Sequence, residues 1–388
     1  MEVKLGDIFE IGSGGTPSKR HPEYYDGNIP WVKTGDLKTT YLYNVEDFIT
    51  EDGLSNSSAK MYEPNTVLIA MYGATIGAAS ILKINACTNQ ACAAFKPNDK
   101  VKPEYLYYFL RSKRNKFVKD GVGGAQPNIS VGYLKKVSME LPEIKEQDEI
   151  VNILNKVSDV VEMRTKEIEN LDELIQARFI ELFGEPTTNP MGWDETTIGD
   201  ECFYIKDGPH KSLPDIGKEN GGYPFISVRN IVNGYIDFST ARYISDADYA
   251  DAIKKCQPEK GDMLYSKGGT TGIAKLIDTD EKFANWVHVA VLKFDRSKLN
   301  GIFFENMLNS AYCYEQSQRL TKGIANRDLV LSAMAQIKMY RPPIKLQQQF
   351  AAFVAQVDKS KFQKKRQHHF IIIKMYSIQE GGSYENQF

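Results

Sequence analysis

The sequence predicts an α/β fold class: two duplicated mixed α/β domains, separated and followed by long coiled-coil-type α-helices. Three observations carry this expectation. Segments of the first half recur about 200 residues later, each recurring unit leads into a long stretch free of Gly, and the residues before it are β-branched and aromatic runs broken by Gly, Pro and Asn.

The repeat is read directly. Pro142, Ile144, Lys145 and Gln147 return as Pro342, Ile344, Lys345 and Gln347, and the same shift sets Gly123, Ala125 and Gln126 against Gly323, Ala325 and Asn326. Upstream, Ile29, Pro30, Trp31 and Val32 pair with Tyr223, Pro224, Phe225 and Ile226, and the run from Leu68 to Gly77 pairs with the run from Leu264 to Gly272. A slightly smaller shift there is what loop insertions produce. A period near 200 is far too long for a solenoid, so two whole domains are duplicated. The expected boundaries are 1–140 for the first domain, 141–185 for the first helix, 186–340 for the second domain and 341–388 for a second helical connector with an atypical distal part.

Between Pro142 and Gly184 lie 41 residues without Gly or Pro. Apolar side chains fall at Ile150, Leu154, Val157, Val161, Ile168, Leu171, Ile175 and Leu182, a spacing of four and three interrupted by Arg164 and Arg178. Such a helix spans roughly 55 to 60 Å at 1.5 Å per residue, more than one domain needs for its own packing. It reads as a spacer or a coiled-coil arm, and it is acidic, with 13 Asp/Glu against 5 Lys/Arg over residues 140–185. The domains contain strand-like runs such as 66–70 and 289–294. A helix is expected from Pro103 to Lys119, with Tyr105, Leu106, Phe109 and Phe117 on one face and a basic face opposite. Residues 102–136 carry 8 Lys/Arg against 2 Asp/Glu, so a chain with net charge −2 hides a locally basic domain beside an acidic helix.

Composition excludes several classes. With 42% hydrophobic and 25% charged residues the chain is an ordinary globular one. Five scattered cysteines without a C-x-x-C pair point to free thiols in a reducing cytoplasm, and neither a signal peptide nor an 18-residue apolar run is present, so no membrane partner is expected.

Catalytic motifs fare poorly. The segment from Gly12 to Arg20 is rich enough in Gly to cradle a phosphate, but Pro17 and Pro22 hold it as a loop and the nucleotide-binding Gly-Lys-Ser/Thr signature is missing; a loop without a ligand accounts for it equally well. Ser57 with Lys60, and Lys33 followed by Thr34 and Gly35, match short motifs of serine hydrolases in the wrong order, which chance explains. His21, His210, His288, His368 and His369 show no metal-ligand spacing. Two polar, Gly-rich turns remain, one from Met71 to Gly77 and one from Ser266 to Gly272. Each suits close approach to phosphates or base edges, and each also suits a plain hairpin.

The whole layout resembles the DNA-specificity subunit of type I restriction-modification systems. The resemblance is carried by the run from Leu5 to Ser18, by Ile29, Pro30, Trp31 and Val32, by the run from Gly123 to Ile129, and by Leu141 and Pro142 ahead of the heptad helix. The second unit supplies Trp193, Ile198, Gly199 and Asp200, and the run from Pro342 to Gln348. It covers about residues 3–358. It implies a subunit without catalysis of its own, whose two target-recognition domains each read one half of a bipartite, asymmetric site in double-stranded DNA. The two long helices, packed antiparallel, would fix the spacer and dock two methylation subunits, and a restriction/translocase subunit would join. S-adenosylmethionine and ATP with Mg would belong to those partners, and this chain would hold no cofactor or metal.

The residues then expected at DNA are Gly14, Gly15, Thr16, Ser18, Lys19, Lys33, Tyr72, Thr75, Arg111, Lys113, Arg114, Lys116, Gln126 and Asn128 in the first domain. In the second they are His210, Lys211, Arg229, Asn230, Lys267, Thr271, Lys322 and Arg327. Subunit docking is expected on Leu154, Val157, Val161, Ile168, Leu171 and Ile175. The second connector departs from the pattern: Phe350, Val354 and Val357 keep the heptad, but Lys361, Lys364 and His368 answer to Val161, Arg164 and Ile168, so the apolar seam is expected to stop. Two other classes remain open, a hydrolase using Ser57 and Lys60 and a two-domain protein-binding scaffold.

Overall fold

Strands that look uniformly apolar in sequence prove to be buried on both faces. The computed structural model describes residues 1–121, 128–324 and 326–379, and of residues 366, 368–370 and 372–379 the backbone only. They form two compact units, residues 1–166 with 365–388 and residues 167–364.

In the first unit a five-stranded sheet runs in the order Ile11–Ser13, Cys92–Phe95, Val67–Ala70, Ala79–Leu82, Tyr41–Leu42. Successive side chains of a strand point to opposite faces. Val67, Ile69, Ala93 and Phe95 therefore enter a core with Leu106, Leu110 and Phe117, while Leu68, Ala70, Cys92 and Ala94 enter a second core with Val32 and Tyr62. A smaller sheet, Phe48–Ile49, Tyr25–Val32, Ala86–Thr88 and Met61–Tyr62, lies alongside in the chain order, and Glu2–Lys4 pairs with Ser138–Glu140.

The second unit repeats this plan, without a counterpart among the described residues to the edge strands Tyr41–Leu42 and Met61–Tyr62. Its four-stranded sheet, Cys202–Asp207, Val289–Phe294, Met263–Ser266, Ala274–Leu276, matches the first four strands of the larger sheet above. Tyr223–Ile226 runs parallel to Ala284–Asn285 as Tyr25–Val32 runs parallel to Ala86–Thr88. Glu195–Thr197 closes on Lys338–Tyr340 as the two terminal strands of the first unit do. The duplication read from short sequence matches is a duplication of topology.

The helix expected from Pro103 to Lys119 is two helices, Pro103–Ser112 and Arg114–Asp120. Lys113 between them has φ −86° and ψ 1°, outside the helical region, and the Ser112 hydroxyl donates back to the Phe109 carbonyl at 2.8 Å, the local competition that ends helices. The break lets Phe117 turn into the core. Gly301–Leu308 and Ala311–Leu320 reproduce the pair in the second unit.

The first long helix runs unbroken from Ile144 to Phe183 and the second from Ile344 to Gln379. Within the second unit they are antiparallel: Phe350 meets Phe179 and Phe183 at centroid distances of 5.4 and 5.6 Å, and further along Lys361 Nζ reaches Asp172 Oδ1 at 2.6 Å and Lys364 Nζ reaches Glu167 Oε2 at 2.6 Å. One expectation holds here and one changes. The apolar seam does give out after Val357, but the helix continues and ion pairs take over the seam. The buried stripe moves from the heptad positions Arg178 and Leu182 to Phe179 and Phe183, because an α-helix of 3.6 residues per turn drifts about 20° per heptad.

Candidate nucleic-acid interface

One end of each large sheet gathers the loops that sequence reasoning singled out. Neighbouring strands run antiparallel, so the end of Ile11–Ser13, the start of Cys92–Phe95 and the end of Val67–Ala70 lie side by side. The Met71 N–H donates to Ala91 O at 2.8 Å and the Ile129 N–H donates to Met71 O at 3.0 Å, while Tyr72 forms a bridge with Asn128. Thr16 Oγ1 donates to Gln90 Oε1 in the same loop group. Tyr72, Thr75, Thr16 and Asn128 thus share one rim.

Glycines here serve close approach. A side chain at Gly14 would sit 1.8 Å from Thr88 O, and the Gly15 N–H donates to Thr88 O at 2.9 Å while its carbonyl accepts from Trp31 Nε1 at 3.1 Å. These glycines bring the loop onto the smaller sheet, and the Gly15 amide is engaged within the protein. Beyond them Ser18 and Lys19 are exposed. Gly77, at φ +79°, lets the turn close on Arg114, whose Cγ a Cβ there would approach to 2.7 Å. The glycine turn and the basic helix therefore meet.

The basic residues are differently placed. Arg111 is exposed and its Nη1 donates to Tyr107 OH at 2.8 Å; Arg114 and Lys116 are exposed; Lys113 lies with Nζ 5.6 Å from the Phe109 ring centre. Lys33 is half-committed, with Nζ 2.5 Å from Asp47 Oδ1 and 5.0 Å from the Trp31 ring. Gln126 lies outside the described residues.

The second unit builds the same rim with other side chains. Gly208 stands where Gly14 stands, with a Cβ approach of 1.7 Å to Asn285 O. The Lys267 N–H donates to His288 O at 2.8 Å and its carbonyl accepts from the Leu329 N–H at 2.7 Å, the bonds that Met71 makes in the first unit, and Gly268 bridges Asp328 as Tyr72 bridges Asn128. His210 and Lys211 are exposed at the end of Cys202–Asp207. Lys322 and Arg327 are exposed as well, the latter donating from Nη2 to Gln318 Oε1.

Three candidates are corrected. Asn230 is buried at 1% exposure with its amide shared among Ser227, Asp237 and Thr240, so it braces the loop, although Arg229 beside it is exposed. Thr271 is buried against Thr321 at 2.9 Å. Lys267 is buried, with Nζ 2.9 Å from Asp328 Oδ1 and 3.6 Å from Asp207 Oδ2. A lysine enclosed between two carboxylates offers no free charge to a phosphate. Asp207 also takes Lys255 Nζ at 2.7 Å, and His210 Nε2 lies 4.0 Å away. The sequence does not announce this network, because its lysine–aspartate partners, Lys255 with Asp207, Lys267 with Asp207 and Lys267 with Asp328, are 48, 60 and 61 residues apart, with only chemical type to link them.

The second domain is also not basic in the segment that makes the first one so: residues 302–336 hold three Lys/Arg and three Asp/Glu. Of the docking set, Leu154 and Ile175 are buried in the cores of their own units, and Leu171 packs against the same core as Ile175; Val157, Val161 and Ile168 are partly buried. Met163, Leu174 and Ile180, with Ile144 at its first position, are the large apolar residues that the first long helix exposes more fully.

The hydrolase pair is not assembled as a helical motif. Ser57 and Lys60 follow the helix Glu51–Ser55 in a bend, the Ser57 hydroxyl donates to Leu54 O at 3.4 Å and accepts from the Ala59 N–H at 3.2 Å, and Lys60 is exposed. Among the described residues no group of three or more His, Cys, Asp and Glu could hold a metal ion, and no helix is long and apolar enough to cross a membrane.

Comparison with known proteins agrees with the duplicated architecture. The family described as type I restriction modification DNA specificity domain matches twice, over residues 1–173 and 190–368. The MjaIX specificity subunit of a type I restriction enzyme from Methanocaldococcus jannaschii is 30% identical over 319 residues, covering 76% of this chain and 72% of the relative. The MjaVIII specificity subunit of the same organism is 20% identical over 92% of this chain and 85% of its own length. Among solved structures, the S subunit of a type I restriction-modification system from M. genitalium aligns over 98% of this chain and 95% of its own, with TM-score 0.50 and 16% identity. A chain from a study of assembly of the type I R-M system aligns over 99% of this chain and 98% of its own, with TM-score 0.59 and 15% identity. With two copies of the family's domain on two copies of one fold, the chain belongs to the type I restriction modification DNA specificity family.

Proposed function

We propose that this chain selects the DNA target of a type I restriction-modification complex, each unit reading one part of a bipartite, asymmetric site through the loop-bearing end of its large sheet. The observation that carries this reading is the pair of equivalent rims with unlike side chains: Ser13, Met71, Tyr72 and Asn128 in one unit stand where Asp207, Lys267, Gly268 and Asp328 stand in the other. Base edges in the major groove differ in their pattern of donors and acceptors, so readers with different donors and acceptors select different sequences. Exposed Arg111, Arg114 and Lys116 would hold phosphates in the first unit and set its register without reading bases.

The chain's part is recognition; methyl transfer and cleavage, with S-adenosylmethionine, ATP and Mg, belong to partner subunits. The long helices would fix the spacer between half-sites, and the apolar residues that the first leaves exposed, Met163 in the first unit and Leu174 and Ile180 in the second, would be offered to methylation subunits. The test is to express the chain with methylation subunits encoded beside it and map methylated adenines across the host DNA. A two-part motif that disappears when this chain is omitted supports the proposal. The same motif without the chain would reject it.

A further inference from the structure

Asn128 and Asp328 occupy one backbone position in the two units. Each forms the isolated bridge at the end of the strand before the glycine turn, Asn128 with Tyr72 and Asp328 with Gly268, and each is followed by a residue whose N–H bonds the equivalent carbonyl, Met71 O or Lys267 O. Asn128 is exposed, and the Asp328 side chain keeps 43% of its surface although Lys267 Nζ holds its Oδ1 at 2.9 Å. We infer that this position is a specificity-determining one, at which Asn128 selects adenine in one half-site and Asp328 selects cytosine in the other. The chemistry follows from the two side chains. An amide offers a donor and an acceptor together and matches N7 and the N6 amino group of adenine, whereas a carboxylate only accepts and matches the N4 amino group of cytosine.

Lys267 gives the inference its mechanical support. A carboxylate at the rim of a DNA-facing surface is repelled by phosphates, and the buried ammonium offsets that charge while fixing the orientation of the carboxylate. In the first unit the same place holds Met71, buried and uncharged, as a neutral Asn128 requires. The two positions differ together, lysine with aspartate and methionine with asparagine.

The inference rests on the reading of the chain as a DNA-specificity subunit. A wild-type complex that methylates a two-part motif establishes that reading separately from the fate of any variant. The experiment maps methylated adenines for complexes carrying wild type, Asp328→Asn, the double variant Lys267→Met with Asp328→Asn, and Asn128→Asp. It is joined by binding to duplexes in which each base pair of the wild-type motif is changed in turn. Expected for Asp328→Asn is a change at one base pair of one half-site, with preference for cytosine there falling by about 5- to 150-fold, the worth of one base contact, and adenine gaining. The double variant restores the neutral pair of the first unit, guards against a lysine left with Asp207 alone, and should show the same altered base. Asn128→Asp should act in the other half-site alone. An unchanged motif, changes in both half-sites from one substitution, or recovery of the wild-type base in the double variant would overturn the inference, the last because it would reduce Asp328 to a counter-ion for Lys267.

Discussion

Gln147 and Gln347 stand 200 residues apart and make the same three hydrogen bonds. Gln147 accepts from the Lys102 N–H at 2.9 Å and donates to Lys100 O and Pro142 O at 2.9 and 3.0 Å; Gln347 accepts from the Asn300 N–H at 2.8 Å and donates to Lys298 O and Pro342 O at 3.3 and 2.6 Å. Both are fully buried. Each ties the first turn of a long helix to the residue that starts the helix packed on the large sheet, so a recognition unit is joined to its arm by hydrogen bonds as well as by packing. Gln347→Leu would leave the Asn300 N–H and two carbonyls without these partners and is expected to lower unfolding free energy by about 2–4 kcal/mol. Denaturant unfolding of the variant, with the slope unchanged, checks this.

The antiparallel helix segments of the second unit are held chiefly by aromatics. Phe350 is fully buried among Phe179, Phe183 and Phe303, whereas Lys361 and Lys364 pair with acids that are 56% and 42% exposed. Phe350→Ala should cost about 3–5 kcal/mol. Lys361→Ala and Lys364→Ala should each cost no more than about 1 kcal/mol, an effect that added salt shrinks further. Equal losses for the two classes would show that the ion pairs govern the seam.

All five cysteines are buried and free. Burial pushes the thiols of Cys87, Cys92, Cys202 and Cys313 up to about 12 and that of Cys256 to about 11. A raised thiol pKa keeps the unreactive protonated form at pH 8, so a thiol-reactive dye should label the native protein slowly and all five sites at once after denaturation. Rapid labelling of native protein would place a cysteine outside the cores described above.

The salt dependence of DNA binding should report the basic helix. Each phosphate contact contributes about 0.9 to the slope of log affinity against log salt, so Arg114→Ala with Lys116→Ala should reduce that slope by about 1.8 when the assembled complex is titrated. Sequence preference should stay the same, because phosphate contacts position the protein without reading bases. A changed base preference would assign these residues to readout instead.

The repeat and the long helices were legible because each leaves a local mark: a shared Pro-x-Ile-Lys-x-Gln pattern, and a run without Gly or Pro. The rim was partly legible, since glycine turns announce themselves. What side chains do at the rim was not. Lys267 and Arg114 are equally basic in sequence, yet one is enclosed by Asp207 and Asp328 and the other is exposed, a difference made by strand pairing across the sheet. Gln347 was visible as a repeated letter, and only its burial revealed a role. Phe179 and Phe183 escaped a strict heptad because the helix turns its face into a domain core there.

The central claim, that the two units read separate parts of one target, is tested most directly by exchanging residues 200–335 for the matching segment of another specificity subunit and mapping methylated adenines. The exchange is structurally reasonable: the Gly199 N–H donates to Ala335 O at 2.9 Å, so the two junctions are neighbours, and a donor residue that fills the place of Phe303 preserves the aromatic cluster with Phe179, Phe183 and Phe350. The account predicts that one half-site changes to that of the donor while the other half-site stays as in the wild type. Loss or change of both half-sites in a chimera that folds and assembles would contradict it.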